Sequence, residues 1–260
     1  MIHLKSEQEI NNIREGGALL SAILGELVDM VEPGVTTAEL DAYAERRMLE
    51  VGGEPAFKGY RSDRRSPPFP TALCTSINGE VVHGPATPGR PLKNGDLIKI
   101  DVGLRYKDGY TDMAATVPVG QVTEEALRLV QATKASLLLG IERVRPGGWI
   151  GDIGKAVDKY VRRQGFSTVK DLVGHGVGRY VHEEPQIPNY FDPGLEPVRI
   201  EPGMVLAIEP MVNAGGDEVA TLDDGWTVVT ADGSLSAHFE MTVAVTANGV
   251  EIMTPLPGSV

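Results

Sequence analysis

The chain has 260 residues, 42% of them hydrophobic, a single cysteine and a formal net charge of −12. That is enough apolar material for a sizeable core, while the acidic balance argues against a DNA or general nucleic-acid binder, which needs a basic stripe to meet phosphates. A lone Cys74 excludes an internal disulfide framework and a cysteine-held zinc, and no apolar run approaches the length that crosses a membrane.

Taken from the N-terminus, MIHLKSEQEI has no basic stretch followed by an apolar one, so a cytoplasmic protein is expected rather than a secreted one. A first helix is predicted over 6–31. Ser6 and Glu9 form a capping box, and Ile10, Ile13, Leu19, Leu20, Ile23, Leu24 and Leu27 keep helical spacing. VEPGVTTAEL turns the chain, and Thr36 with Glu39 caps a second helix ending near Gly52–Gly53. Strands follow at 71–77, 96–104 and 111–119, the last two joined by the KDG turn at 107–109. Thr123 caps a third helix through EEALRLVQATKASLLLGIERV, VRPGGW turns it, and a fourth helix ends at RRQGF. GHGVGRYVHEEP (174–185) carries His175 and His182 in a run too rich in glycine for a regular element, and reads as a loop shaped around something. Further strands are predicted at 204–212, 226–230 and 237–246.

One pattern is written twice. Pro33 and Pro146 lie 113 residues apart, and so do Gly52 and Gly165. NGDLIKID (94–101) is echoed by PGMVLAIE (202–209), each with a glycine six residues before an acid. A repeat this long exceeds solenoid periods, which run to roughly 50 residues. Two halves, about 5–120 and 121–252, packed about a pseudo-twofold axis fit it better. The expectation is an α+β fold in one domain spanning 1–260, with helices over one face of a largely antiparallel sheet. The other face needs a use.

Strand alternation shows which residues occupy it. In LIKIDVG, Ile98, Ile100 and Val102 share one face, and Lys99, Asp101 and Gly103 share the other. In HFEMTVAV, Phe239, Met241, Val243 and Val245 face one way, and His238, Glu240 and Thr242 the other. Asp112 follows the KDG turn on the strand that pairs with that of Asp101, and Glu209 holds the place of Asp101 in the second half. Singly, an acid on a strand is most often a solvated edge residue. Four carboxylates and a histidine converging on one face would repel strongly unless protons or cations intervene. Two divalent ions with a bridging hydroxide bring such a site near neutrality. Oxygen donors with one nitrogen and no sulfur suit Mn, Fe(II), Co or Zn. GHGVGR lacks the GK[ST] ending of a phosphate loop, and no base is placed to activate Cys74.

HGP (83–85), IDVG with TDMAATVPVG within 100–120, GHGVGRYVHEEP, MVLAIEPMV (204–212) and SAHFEMTV (236–243) together resemble the type I methionine aminopeptidases. The similarity runs from Lys5 to about Ile252. It implies the pita-bread fold, whose two related halves agree with the repeat. By that resemblance Asp101 chelates one metal ion, Asp112 and Glu240 bridge both, and His175 and Glu209 bind the other. A bridging water or hydroxide is the nucleophile, its pKa lowered by ions about 3.5–4 Å apart. Glu209 takes its proton, His182 polarises the scissile carbonyl and stabilises the oxyanion, and His83 contacts the substrate near its first peptide bond. Tyr60, Phe69, Cys74, Val181 and Trp226 match or approximate positions of the pocket for the first side chain. The substrates implied are nascent chains and peptides with an N-terminal methionine and a small second residue, and a monomer is expected. Such substrates emerge at the ribosome, for which the basic KGYRSDRR (58–65) is the suited contact.

Three other readings share the fold. Xaa-Pro peptidases carry a substantial N-terminal domain, whereas here the catalytic pattern begins at once. Type II methionine aminopeptidases insert a helical subdomain between the last two glutamates, and only 31 residues separate Glu209 from Glu240. A pita-bread protein turned binding module loses ligands, and this chain keeps all five, with His83 and His182.

Overall fold

A computed structural model describes residues 2–61, 67–194, 196–258 and 260. Helices start where the capping residues place them. Ser6 Oγ accepts from the Glu9 N–H while the Glu9 carboxylate accepts from the Ser6 N–H, opening α1 (Glu7–Asp29). Thr36 and Glu39 repeat the box at α2 (Thr37–Glu50), and Thr123 Oγ1 accepts from the Ala126 N–H at α3 (Glu124–Ile141). Among the helices of the described residues, only α4 (Ile150–Arg163) begins without a side-chain cap, after Trp149.

The first half supplies strands β1 (Glu54–Pro55), β2 (Leu73–Ile77), β3 (Glu80–Val82), β4 (Leu97–Tyr106) and β5 (Gly109–Pro118). The second supplies β6 (Ser167–Thr168), β7 (Gly174–Gly176), β8 (Glu183–Ile187), β9 (Val205–Ile208), β10 (Met211–Asn213), β11 (Val219–Thr221), β12 (Val228–Thr230), β13 (Ser236–His238), β14 (Glu240–Thr246) and β15 (Gly249–Ile252). Every pairing among them is antiparallel. Nine strands form one sheet along the path β1-β4-β5-β14-β9-β7-β8, with β2 on β4 and β15 on β14. The halves therefore join in mid-sheet, where β5 meets β14.

The four helices of the described residues cover one face. Leu24 of α1, Leu40 of α2, Leu137 of α3 and Ile153 of α4 share one buried cluster with Ile98, Ile100, Val102, Phe239, Met241 and Val243. Each such side chain contributes about 1.5–3 kcal/mol when buried, which fixes the inward face and turns the acids to the other. The twofold relation is visible in the backbone. Gly34 donates to the Leu92 carbonyl and Leu92 to that of Val35, and in the second half Gly147 donates to Ile200 and Ile200 to Gly148. Gly34 and Gly147 both hold positive φ, +100° and +77°, the region in which a side chain would be strained.

Three expectations are corrected. The runs 204–212 and 237–246 are each broken, at Glu209–Pro210 and at Phe239. Pro210 has no N–H for a ladder, so β9 and β14 stay in the main sheet while β10 and β13 join β6 in a separate three-stranded sheet. The run 226–230 shortens to β12, which pairs with β3 and β11 in a third sheet. Finally, the glycine-rich run 174–185 is no loop throughout, because it contains β7 and the start of β8. Glycine serves close approach here. A Cβ on Gly174 would lie 2.4 Å from the Ala207 carbonyl oxygen, and one on Gly176 2.3 Å from that of Glu184.

Candidate metal centre and substrate pocket

The carboxylates gather around a small residue. Asp101 of β4 and Glu240 of β14 both stand opposite Ala114 of β5, one from each side. Asp112 is two residues from Ala114 on the same strand and hence on the same face. The methyl group of Ala114 leaves the space between the three acids open. Two threonines hold the strands apart at this point. Thr242 Oγ1 donates to the Asp112 carbonyl at 2.7 Å and accepts from the Asp112 N–H at 3.0 Å. Thr116 Oγ1 does the same to His238, at 2.7 and 2.8 Å. Hydroxyls thus stand in for direct ladder bonds on both sides of the Glu240–Ala114 pair.

The second half delivers Glu209 at the break after β9, where Asn189 Nδ2 donates to its carbonyl at 3.0 Å. His175 lies on β7 beside it. Its Nδ1 is 2.9 Å from the Gly176 carbonyl, which can only accept, so Nδ1 carries the proton. The free Nε2 lies 3.4 Å from Glu209 Oε1.

Burial raises all four carboxyl pKa values, with Asp101 reaching about 7 and Glu209 about 8. Asp112 and Glu240 are pushed well above the usual carboxylate range by burial and then by their acidic neighbours. Burial also lowers the imidazoles, His175 to about 3 and His83, His182 and His238 to about 4. At neutral pH these rings are uncharged, the form that can bind a metal. Asp101 Oδ1, Asp112 Oδ1 and Glu240 Oε1 are buried with no hydrogen-bond partner among the described residues. Orphaned acceptors of this kind call for an explanation, and divalent cations satisfy both the unpaired oxygens and the repulsion. The donors are close enough. Ligand atoms of Asp112, His175 and Glu240 lie within 4.8 Å of one another, as do those of Glu209, His238 and Glu240. The residues present fit divalent metal ions.

An apolar cluster of side chains adjoins these acids. Phe57, Phe69, Cys74 and Val181 are buried together, with Tyr60, Tyr110 and Trp226 packed against them. The Phe69 and Trp226 rings meet edge to face at 5.2 Å between centroids. His182 joins pocket to acids, its ring 4.9 Å from that of Tyr60 and 4.4 Å from that of His175. Cys74 pairs across the strands with Asp101. Its thiol is pushed well above the ordinary range by burial and the carboxylates around Asp101, so it is no thiolate nucleophile at neutral pH. His83 adopts φ +61°, an unusual value for a side-chain-bearing residue, and lies near His182 and His238. Every site residue named from the sequence is therefore brought to one place. His238, Thr116, Thr242 and Ala114 join them. The sequence signal for His238 is its alternation with Glu240, whereas threonine and alanine on a strand carry no such signal.

Residues 11–247 match the model of metallopeptidase family M24. The chain belongs to that family. It is 48% identical to the methionine aminopeptidase of Clostridium perfringens over 255 residues, covering 98% of this chain and 99% of the relative. It is 45% identical to methionine aminopeptidase 1 of Bacillus subtilis, with the same coverage. The crystal structure of methionine aminopeptidase from Rickettsia prowazekii superposes with a TM-score of 0.92 at 39% identity, covering 98% of this chain and 100% of the other. This M24 chain has the pita-bread fold and is a metal-dependent aminopeptidase, a hydrolase acting on peptide N-termini. Among the described residues, no helix is long and apolar enough to cross a membrane.

Proposed function

We propose that this M24 chain is a methionine aminopeptidase that removes the N-terminal methionine from polypeptides with a small second residue, acting in the cytoplasm as a monomeric catalytic domain spanning 1–260. The observation that carries this reading is the joining of a cluster of apolar side chains to a buried carboxylate–histidine cluster through the His182 ring. Full-length likeness to methionine aminopeptidases supports the substrate. Asp101, Asp112, His175, Glu209 and Glu240 would hold two divalent ions, Asp112 and Glu240 between both. Such ions, when bound, allow the carboxylates to ionise together and acidify water near neutral pH.

The protein's own groups do the rest. Phe57, Phe69, Cys74, Val181 and Trp226 enclose the methionine side chain and exclude water, with Tyr60 at the His182 side. That seats the first peptide bond between pocket and acids. His182, kept neutral by burial, donates a hydrogen bond to the scissile carbonyl oxygen as negative charge grows there. Glu209 accepts the proton of the attacking water and can return it to the leaving amine. His83 orients the peptide nitrogen beside His182. For contact with the ribosome we retain KGYRSDRR (58–65), of which residues 62–65 lie outside those described.

Release of methionine from Met-Ala-Ser and from Met-Ile-Ser by the Mn(II)- or Co(II)-loaded protein tests the reading. The first peptide is expected to turn over and the second to resist, because a β-branched residue holds the carbonyl off the nucleophile and a misplacement of about 1 Å can cost roughly 10²-fold. Metal uptake with no release from Met-Ala-Ser would leave a binding module. Preferential cleavage before proline would make it an Xaa-Pro peptidase.

A further inference from the structure

The cluster contains one more imidazole than the five-residue ligand set uses. His238 is only 1% exposed, and neither of its ring nitrogens has a hydrogen-bond partner among the described residues. Nε2 stands 3.6 Å from Glu209 Oε2 and 3.8 Å from Glu240 Oε2. Those separations are too long for hydrogen bonds. They are close to the spacing of donors around one ion, because two atoms each about 2.1 Å from a metal stand roughly 3.0–3.5 Å apart. His175 has the same relation to the other oxygen of Glu209, with Nε2 3.4 Å from Oε1. The Glu209 carboxylate thus lies between two imidazoles, one at each oxygen.

We propose that His238 Nε2 is a direct metal ligand, sharing an ion with Glu209 and Glu240, whose ligand atoms and its own all lie within 4.8 Å of one another, so that the centre has two imidazole donors instead of one. The proposal rests on the metal centre argued above and adds a residue to it. The position is built rather than accidental. Thr116 Oγ1 clamps the His238 backbone on both its N–H and its carbonyl, and the residue pairs with Met211 across to β10. The ring therefore stays aimed into the cluster beside the break at Phe239 that also delivers Glu240. A second nitrogen shifts the donor set away from hard, oxygen-preferring ions such as Mg and Ca and toward Fe(II), Co and Zn.

An anomalous-scattering map of crystals loaded with two equivalents of Co(II) tests this directly. The expected result is an ion about 2.0–2.3 Å from both His238 Nε2 and a Glu209 oxygen. Calorimetric Co(II) titration of His238→Ala and His238→Gln should show one of two affinities weakened by about 10–100-fold or more, and the other unchanged. An ion on Glu209 and His175 with His238 Nε2 more than about 3 Å away overturns the proposal and leaves the metal centre standing. Absence of any ion at the carboxylates overturns the underlying reading as well. The map uses the wild-type chain, so it decides even if a variant does not fold.

Discussion

Glu240 is the residue on which most of the site converges. It stands first in β14, directly after the strand break, and faces Ala114 from the side opposite Asp101. It is also common to both groups of close donors. Glu240→Ala is therefore expected to remove both ions, with the metal-to-protein ratio from elemental analysis falling close to zero and hydrolysis lost with it. Full occupancy in the variant would end the bridging role. His182 predicts the opposite split. Its ring meets those of Tyr60 and His175 edge to face, outside the carboxylates, so His182→Ala should leave metal content intact. Turnover should fall by about 10²–10³, the usual cost of one oxyanion donor. Loss of metal from this variant would instead mean that His182 is a ligand. Much of this was legible in the sequence. Alternation put Asp101 and Glu240 on the uncovered face, and the repeat paired Glu209 with Asp101. The clamps by Thr116 and Thr242 were not, because their partners lie 122 and 130 residues away and threonine suits any strand.

At the scale of elements, the segment between β7 and β8 needs an anchor, since it carries His182 and has little regular structure. Glu183 provides it. One carboxylate oxygen accepts the N–H groups of Arg179 and Tyr180, at 2.6 and 2.9 Å. The other meets Lys5 Nζ at 2.6 Å, with the two side chains only 1% and 2% exposed. Lys5→Met leaves a buried carboxylate without its cation, and removing one partner of such a pair costs about 3–5 kcal/mol. Urea unfolding of the metal-loaded variant should show that loss, against about 1 kcal/mol or less for Lys58→Met at an exposed pair. Equal effects would mean that Lys5 is solvated in solution. The pocket wall depends on a glycine in the same way. A Cβ on Gly103 would come within 2.7 Å of the Phe57 ring. Gly103→Ala should therefore push Phe57 into the pocket, raising KM for methionyl peptides with metal content unchanged. Helix starts could be predicted because caps are local, with partners three residues away. The Lys5–Glu183 anchor spans 178 residues, and the strands hidden in the glycine run depend on neighbours that only the fold supplies.

For the whole molecule, the centre makes stability depend on pH and metal together. Without cations the folded chain holds protons on its carboxyls that the unfolded chain releases, because Asp101 is raised to about 7, Glu209 to about 8, and Asp112 and Glu240 also upward. Where the folded state binds more protons, stability falls as pH rises. The lowered histidines act in the opposite direction, but only between about pH 4 and their ordinary value near 6.5. Lys99, buried with its ammonium donating to the Asn78 and Ser236 carbonyls and lowered to about 7, also favours the fold as pH rises above that point. With Lys5, also lowered by burial, that makes two amines against several carboxyls. The window from about pH 6.5 to 8 therefore belongs to the acids, and EDTA-treated protein should melt at progressively lower temperature across it. Bound divalent ions keep the carboxylates ionised in the fold, so the loaded protein should lose little over the same range, and metal should bind more tightly as pH rises. The gap in Tm between loaded and EDTA-treated samples is thus expected to widen from pH 6.5 to 8. Parallel curves would mean that the four carboxyls are already ionised in the metal-free fold, and that their charge is met by something other than the ions.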